Sequence, residues 1–190
     1  MKPVLFSLAL AVHVTAFSCH ADERHLHRFD DRNALTGWQA VNDGVMGGRS
    51  SGGPVFSPNG LRFSGKLSLE NNGGFSSIRK SERLDLSGFD GVRLKVRGDG
   101  RTYQVRFNTD SRFRRWPVSY SGSFETRADE WVVVDVPFAG LKQSFRGYDL
   151  GQYPFDPGKI QLLGIILADK NPGPFAIDVK WIKAYRNKAH

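Results

Sequence analysis

"VRLKVRGDGRTYQVRFNTD", residues 92–110, decides the fold class. Val92, Leu94 and Val96 alternate with Arg93, Lys95 and Arg97; Tyr103, Val105 and Phe107 alternate with Gln104, Arg106 and Asn108. A strict period of two puts one set of side chains on a buried face and the other on an exposed face, the pattern of a half-buried β-strand. Gly98-Asp99-Gly100 between the two runs reads as a turn, and the expectation is a hairpin. Paired in that way, the strands gather Arg93, Lys95, Arg97 and Arg106 on one sheet face. Like charges set side by side destabilise a sheet, so an acidic group from the protein or from a partner has to balance them.

The same signals recur outward from this stretch. Strands are expected at 60–70, 74–79, 131–137, 160–168 and 175–185, broken by Gly, Pro, Asn and Asp. The run at 160–168 is apolar at both parities and belongs at the centre of a sheet. Within 131–137, Val132, Val134 and Val136 face inward and Asp135 faces out. No run of ten residues carries a helical period, and there is no internal repeat or linker. The fold class is all-β, a single sandwich or jelly roll.

Residues 1–21 have the layout of a signal peptide. Lys2 precedes the uncharged "PVLFSLALAVHVTAF", and small residues lead to a cut after Ser18 or Ala21. The apolar core is too short for a membrane span, so the expectation is an exported protein, periplasmic or secreted. Cys19 follows Ala16-Phe17-Ser18, but bulky Phe17 and the missing Leu argue against a lipoprotein. Residues 22–28 then form a polar lead-in, 29–186 the sandwich and 187–190 a tail. Cys19 is the only cysteine, so the domain stands on its packed core with no disulfide. The net charge of +8 favours acidic partners: an acidic protein, an acidic glycan or anionic headgroups. Export argues against nucleic acid.

The histidines are His13, His20, His25, His27 and His190, two in the signal and three at the ends of the mature chain. The folded body is therefore expected to hold neither histidine nor cysteine. That removes His-based acid/base catalysis, Ser-His-Asp and Cys-His nucleophiles and ordinary zinc sites. Glu70, Asp110, Glu125, Asp135 and Asp169 could supply a carboxylate pair of glycosidase type, but no spacing singles out two of them. No catalytic residue, cofactor or metal is expected.

Three stretches could bind. "VNDGVMGGRSSGG", residues 41–53, lacks the Gly-Lys-Ser/Thr ending of a phosphate loop and does not open a helix. Asn42-Asp43-Gly44 reads as a turn, and Gly47-Gly48 permits a close backbone approach. Asn42, Asp43 and Arg49 are the groups placed to face a partner. "RFRRWPVSY", residues 112–120, is expected as a loop joining three arginines to Trp116 and Tyr120, the composition of a protein interface or of a surface that stacks on sugar rings. "RGYDLGQYPFDPGK", residues 146–159, is a second long loop, with Tyr148 and Tyr153 as further stacking candidates.

In order, "GWQAVNDGVMGGRSSG", "GFSSIR", "LDLSGFDGVRLKVRGDGRTYQVRF" and "LGIILADKNPGPFAIDVKWIKAY" resemble the complex I intermediate-associated protein family, from about Phe29 to Tyr185. The most specific parts are Asn-Asp-x-Val-Met-Gly-Gly-x-Ser and the closing Leu-Ala-Asp-Lys-x-x-Gly-Pro-Phe. The resemblance implies a galactose-binding-domain-like jelly-roll β-sandwich. For eukaryotic relatives it implies a role as mitochondrial assembly chaperones of respiratory NADH:ubiquinone oxidoreductase. It brings no catalytic residues. It offers Asn42, Asp43, Gly47, Gly48, Ser50, Arg79, Arg106 and Asp169 as candidates for a shared functional face. Arg49, Arg93, Arg97, Asn108, Trp116 and Tyr120 join them from the residue patterns. The expected function is a non-enzymatic binding protein, an assembly factor or chaperone engaging a protein partner in the cell envelope; the alternative is a carbohydrate-binding module.

Overall fold

A computed structural model describes residues 22–187. The signal segment 1–21, with Cys19, and residues 188–190 of the tail lie outside the described residues. The strands are β1 (Asp22–Arg28), β2 (Trp38–Asn42), β3 (Ser51–Ser57), β4 (Gly60–Leu67), β5 (Ser76–Leu84), β6 (Gly91–Arg97) and β7 (Thr102–Phe113). They continue as β8 (Trp116–Glu125), β9 (Trp131–Pro137), β10 (Lys142–Phe145), β11 (Tyr148–Asp149), β12 (Ile160–Leu167) and β13 (Gly173–Arg186). Only short 3₁₀ turns interrupt them.

Two antiparallel sheets face each other. The six-stranded sheet runs β3-β4-β13-β6-β9, and β1 pairs with β13 along the same edge as β4. The seven-stranded sheet runs β11-β10-β8-β7-β12-β5-β2. Leu61, Phe63, Val92, Leu94, Val96, Ile177 and Val179 from the first sheet meet Ile78, Tyr103, Val105, Phe107, Tyr120, Leu163 and Ile165 from the second in one buried core. Alternation along each strand is what supplies these two inner faces. β12, apolar at both parities, lies between β7 and β5 as its composition demands.

Pairing departs from the expected hairpin. β6 pairs with β13 and β9 in the six-stranded sheet, whereas β7 pairs with β8 and β12 in the other. Residues 98–101 carry the chain across the core rather than folding it back on its neighbour. The inward assignment of both runs is unaffected, because the inner face of either sheet meets the same core. The crossing is held by Asp99, whose carboxylate accepts from the Arg101 and Ala176 amides at 3.1 and 2.9 Å and from the Tyr103 hydroxyl at 3.1 Å. The four cations therefore do not share a face: Arg93, Lys95 and Arg97 lie on one side of the molecule and Arg106 on the other.

Two further differences concern the ends of the domain. Residues 22–28, expected as a lead-in, are an edge strand of the sandwich, so His25 and His27 belong to the folded body. His27 stacks on Phe29 and meets Trp38 edge-on, and its Nε2 lies 2.6 Å from Glu82 Oε1. This pair ties β1 to β5 of the opposite sheet. No hydroxyl is hydrogen-bonded to the imidazole among the described residues. Residues 112–120 are a β-hairpin, not a loop: Phe113 pairs with Trp116 around Arg114-Arg115, and Arg114 takes the left-handed turn conformation.

Candidate functional site

The glycine-rich segment closes around a carboxylate of the protein itself. Asp43 is fully buried. Its Oδ1 accepts the Ser50 amide at 2.8 Å. Its Oδ2 accepts the Ser50 hydroxyl at 2.5 Å and the amides of Gly74 and Phe75 at 2.6 and 3.2 Å. A Cβ on Gly48 would stand 2.4 Å from the Asp43 carboxyl carbon, and one on Gly73 would stand 2.6 Å from its Oδ2. Those two positions are glycine because the carboxylate occupies the space a side chain would need. Burial acts to raise the Asp43 carboxyl, but the Ser50 hydroxyl and the three amides outweigh it and hold the group below its ordinary range. Asn42 is also turned inward, donating to Gly52 O at 3.0 Å and accepting from Ser76 Oγ at 2.6 Å. The expectation that Asn42 and Asp43 face a partner is thus corrected, since both are consumed in locking β2, β3 and β5 together.

The lock displays something else. Val45 is 74% exposed, Met46 59% and Leu69, on the adjoining β4–β5 connection, 42%. Asn71 Nδ2 donates to Gly47 O at 3.2 Å, joining the two connections into one tip. Gly47 turns the chain there through a positive φ. Arg49 reaches into solvent beside Glu70, 3.4 Å away. The sequence carried Val45 and Met46 inside the signature segment, but nothing local distinguishes an exposed Val-Met from a core one.

On the outer face of the six-stranded sheet, Arg93 and Arg97 are fully engaged. Arg93 grips Asp135 with Nε and Nη2 at 2.6 and 2.7 Å and reaches Glu23 with Nη1 at 2.7 Å. The Asp135 and Glu23 carboxylates hold its guanidinium more firmly protonated than usual. Arg97 and Arg62 flank buried Asp178 at 2.7 and 3.2 Å. The acidic balance for these arginines comes from the protein, while Lys95 lies over the Trp131 ring. Asp169 is likewise internal, held bidentately by Arg101 at 2.7 and 2.9 Å. That pair straps the β6–β7 crossing to the β12–β13 turn, and the candidate ligand contacts at Arg93, Arg97 and Asp169 are corrected to structural ones.

The seven-stranded sheet is different. Register places Gln39, Arg79, Gly164, Arg106, Ser121 and Lys142 in one row across its outer face. Asn108 lies one row away beside Ser119 and donates to Val118 O at 2.7 Å. Neither Arg79 nor Arg106 forms an ion pair among the described residues, and Arg106 Nε is shut off from solvent with no hydrogen-bond partner. Arg79 Nε donates only to Ser77 Oγ, at 3.0 Å.

Trp116 and Tyr148 are exposed at a corner of the same sheet, where the Arg146 guanidinium lies 5.7 Å over the Trp116 ring. Tyr120 is fully buried, its hydroxyl donating to Pro154 O at 3.3 Å, and Tyr153 packs edge-on against Phe113. Of the aromatic candidates for stacking, Tyr120 is therefore withdrawn. Trp116 sits at the opposite end of the sheet from Asn42–Ser50, because the register of β5, β12 and β7 makes β2 and β8 run in the same sense and Asn42 ends β2 where Trp116 begins β8.

Residues 27–179 match the family model described as Complex I intermediate-associated protein 30. The chain is 30% identical over 189 residues to "Complex I intermediate-associated protein 30, mitochondrial" of Mus musculus, covering 88% of this chain and 57% of the mouse protein. A "Probable complex I intermediate-associated protein 30, mitochondrial" of Caenorhabditis elegans is 26% identical, covering 92% of this chain and 57% of its own length. The chain thus spans little more than half of these relatives. The expectation of export is overturned here, since the relatives carry mitochondrial names; the uncharged leader on which it rested lies outside the described residues. Among solved structures, a family 11 carbohydrate-binding module of a Clostridium thermocellum cellulase superposes with a TM-score of 0.64 at 15% identity, covering 90% of this chain and 98% of the module. Its complex with a β-1,3-1,4-mixed-linked tetrasaccharide gives 0.63 at 15% identity, covering 88% and 98%. These likenesses establish the jelly-roll sandwich and nothing about ligands.

Proposed function

The chain belongs to the Complex I intermediate-associated protein 30 family, and from that premise we propose that it is a non-enzymatic assembly partner that docks on an intermediate of complex I. The observation that carries this reading is the tip formed by Val45, Met46 and Leu69, apolar and in solvent on a loop fixed from beneath by Asp43. An exposed apolar group held rigidly loses little conformational entropy on burial against a second protein, and it lies in the most specific segment of the family pattern. The mitochondrial names of the relatives support respiratory assembly as the process. Electrophoresis of native complexes from mitochondria expressing the chain tests the reading. The chain is expected to co-migrate with a complex I intermediate, and the combined substitution Val45→Ser, Met46→Ser and Leu69→Ser is expected to release it without lowering the Tm. Unchanged co-migration of the folded triple variant refutes the tip as the contact.

A second reading is kept for the corner where half-exposed Trp116 and exposed Tyr148 stand, rings of the kind that stack on sugars. Arg146 already covers one face of Trp116, which weighs against it. A glycan array on the full chain decides: binding abolished by Trp116→Ala supports the sugar reading, and no binding ends it.

A further inference from the structure

We propose that Arg79 and Arg106 form an oxyanion-binding site on the outer face of the seven-stranded sheet, and that its ligand is an acidic segment of a protein partner. The proposal rests on the protein-partner reading above but uses a different surface. Its foundation is a row fixed by register: Arg79 opposite Gly164, and Gly164 opposite Arg106. With two strand spacings of about 4.8 Å between them, the arginine backbones stand about 10 Å apart. Gly164 leaves the intervening position without a side chain, and a Cβ there would crowd Arg79 Cγ at 3.1 Å and the Ile78 carbonyl at 2.8 Å. The gap lets the stem of Arg79 lie across the sheet toward its neighbour.

Around the pair the face offers hydrogen-bonding groups, with Ile166 and Leu162 of β12 between them, and no carboxylate paired with either arginine among the described residues. Ser77 and Gln104 occupy the row on one side, Asn108 and Ser119 the row on the other, and Lys142 closes the central row beyond Ser121. The central row contains no carboxylate; Asp149, three strands from Arg106 at the β11 edge of the Asn108–Ser119 row, is the acid nearest in register, and it forms no ion pair with either arginine among the described residues. Elsewhere the same chain gives its partly buried arginines acids: Asp135 and Glu23 for Arg93, Asp178 for Arg97, Asp169 for Arg101. Leaving two guanidinium groups unpaired in a shielded setting is costly, and an orphaned Nε on a buried group calls for a missing partner. Burial, with repulsion from Arg79 added, pulls the Arg106 guanidinium down to about 10; burial likewise lowers Arg79.

A guanidinium fork recognises carboxylate and phosphate oxygens in pairs. The central rows hold no aromatic ring, so the arginine pair has no stacking platform for a sugar beside it. In an extended segment, acidic residues two or three positions apart stand about 7–10 Å from each other, which matches the arginine spacing. These two features favour an acidic polypeptide over a polyanionic glycan.

The test uses the full chain and a fluorescein-labelled peptide of alternating glutamate and serine. Glutamine–serine peptide, a heparin oligosaccharide and inorganic sulfate serve as the other probes. Saturable binding of the acidic peptide is expected, weakened at least tenfold by Arg79→Gln or Arg106→Gln, less by Arg106→Lys, and unchanged by Arg115→Gln at the exposed β7–β8 turn. On the wild-type chain the Nε–H resonances of Arg79 and Arg106 are expected to move on titration, a readout that stands even if a variant fails to fold. Equal peptide affinity in the variants, or static arginine resonances, overturns the site. Preference for heparin, lost in the same variants, overturns the acidic segment as ligand, and response to sulfate without peptide binding reduces the site to an adventitious ion only. Failure of the tip variants described above, with this titration intact, removes the docking reading and leaves the site standing.

Discussion

The two outer faces of the sandwich carry similar cations to opposite ends. On the six-stranded sheet, each of Arg62, Arg93 and Arg97 reaches a carboxylate of the same chain, and Lys95 lies over the Trp131 ring, so the arginines of that face are neutralised as folded. On the seven-stranded sheet, Arg79 and Arg106 have none among the described residues, and Arg106 Nε has no hydrogen-bond partner there. The difference teaches that basic character alone does not mark a binding surface; what marks it is charge that the fold declines to neutralise.

That contrast can be broken by mutation. The largest effect is expected for Asp178→Asn. Asp178 is 1% exposed and serves two arginines, so its loss leaves both without their partner at a cost of about 3 kcal/mol, read as a drop in the midpoint of denaturant unfolding. Next in size is the coupling between Arg93 and Asp135. Their bidentate geometry predicts about 1 kcal/mol in a double-mutant cycle with Arg93→Gln and Asp135→Asn, and additive single effects would show that the pair is ornamental. A cycle between Arg79 and Arg106 is expected to show the reverse sign, since removing either relieves the other.

Acid sharpens the comparison further. A hydrogen bond from Lys183 comes first among the causes that hold Glu23 below its usual value of 4.5, with burial opposing and Arg93 assisting. A carboxylate depressed in the folded state stabilises it above the unfolded pKa, and that contribution is lost as pH falls through the folded value. Titrating from pH 6 to pH 3 is therefore expected to cost the wild-type chain a few tenths of a kcal/mol more than Glu23→Gln, the size of a solvent-accessible pair. Identical acid profiles for the two would remove Glu23 from the account.

How far these faces were legible in the sequence follows from the range of the interactions that build them. Alternation is local, so the inward set Val92, Leu94, Val96, Tyr103, Val105 and Phe107 could be read directly, as could the doubly apolar strand at 160–167. Pairing is not local. Whether β6 and β7 form a hairpin depends on Asp99 finding Ala176, far along the chain, and the turn residues between them are compatible with either outcome. Edge strands were missed for a related reason: "DERHLHR" and "SGGPVFS" bury too little to show a pattern, and β1 exists because β13 offers it an edge. The same holds for the site. Arg79 and Arg106 entered through family resemblance, but their lack of acids became visible only once register set Gly164 between them. Asp43 illustrates the converse, since the Asn-Asp-Gly turn signal says nothing of the four hydrogen bonds that its carboxylate collects from residues 50, 74 and 75.

The smallest change is also the most decisive. Thermal unfolding of Arg97→Met and Arg106→Met, each against the wild type without ligand, tests whether the second face is held ready for binding at the expense of stability. Removing Arg97 strips a partner from buried Asp178 and is expected to lower the Tm. Removing Arg106 discards a buried charge left without an acid among the described residues and is expected to leave the Tm unchanged or raise it, a stability gain of up to about 1 kcal/mol. A clear fall in both would mean that Arg106 is as much a part of the folded scaffold as Arg97, and would contradict the division between the two faces.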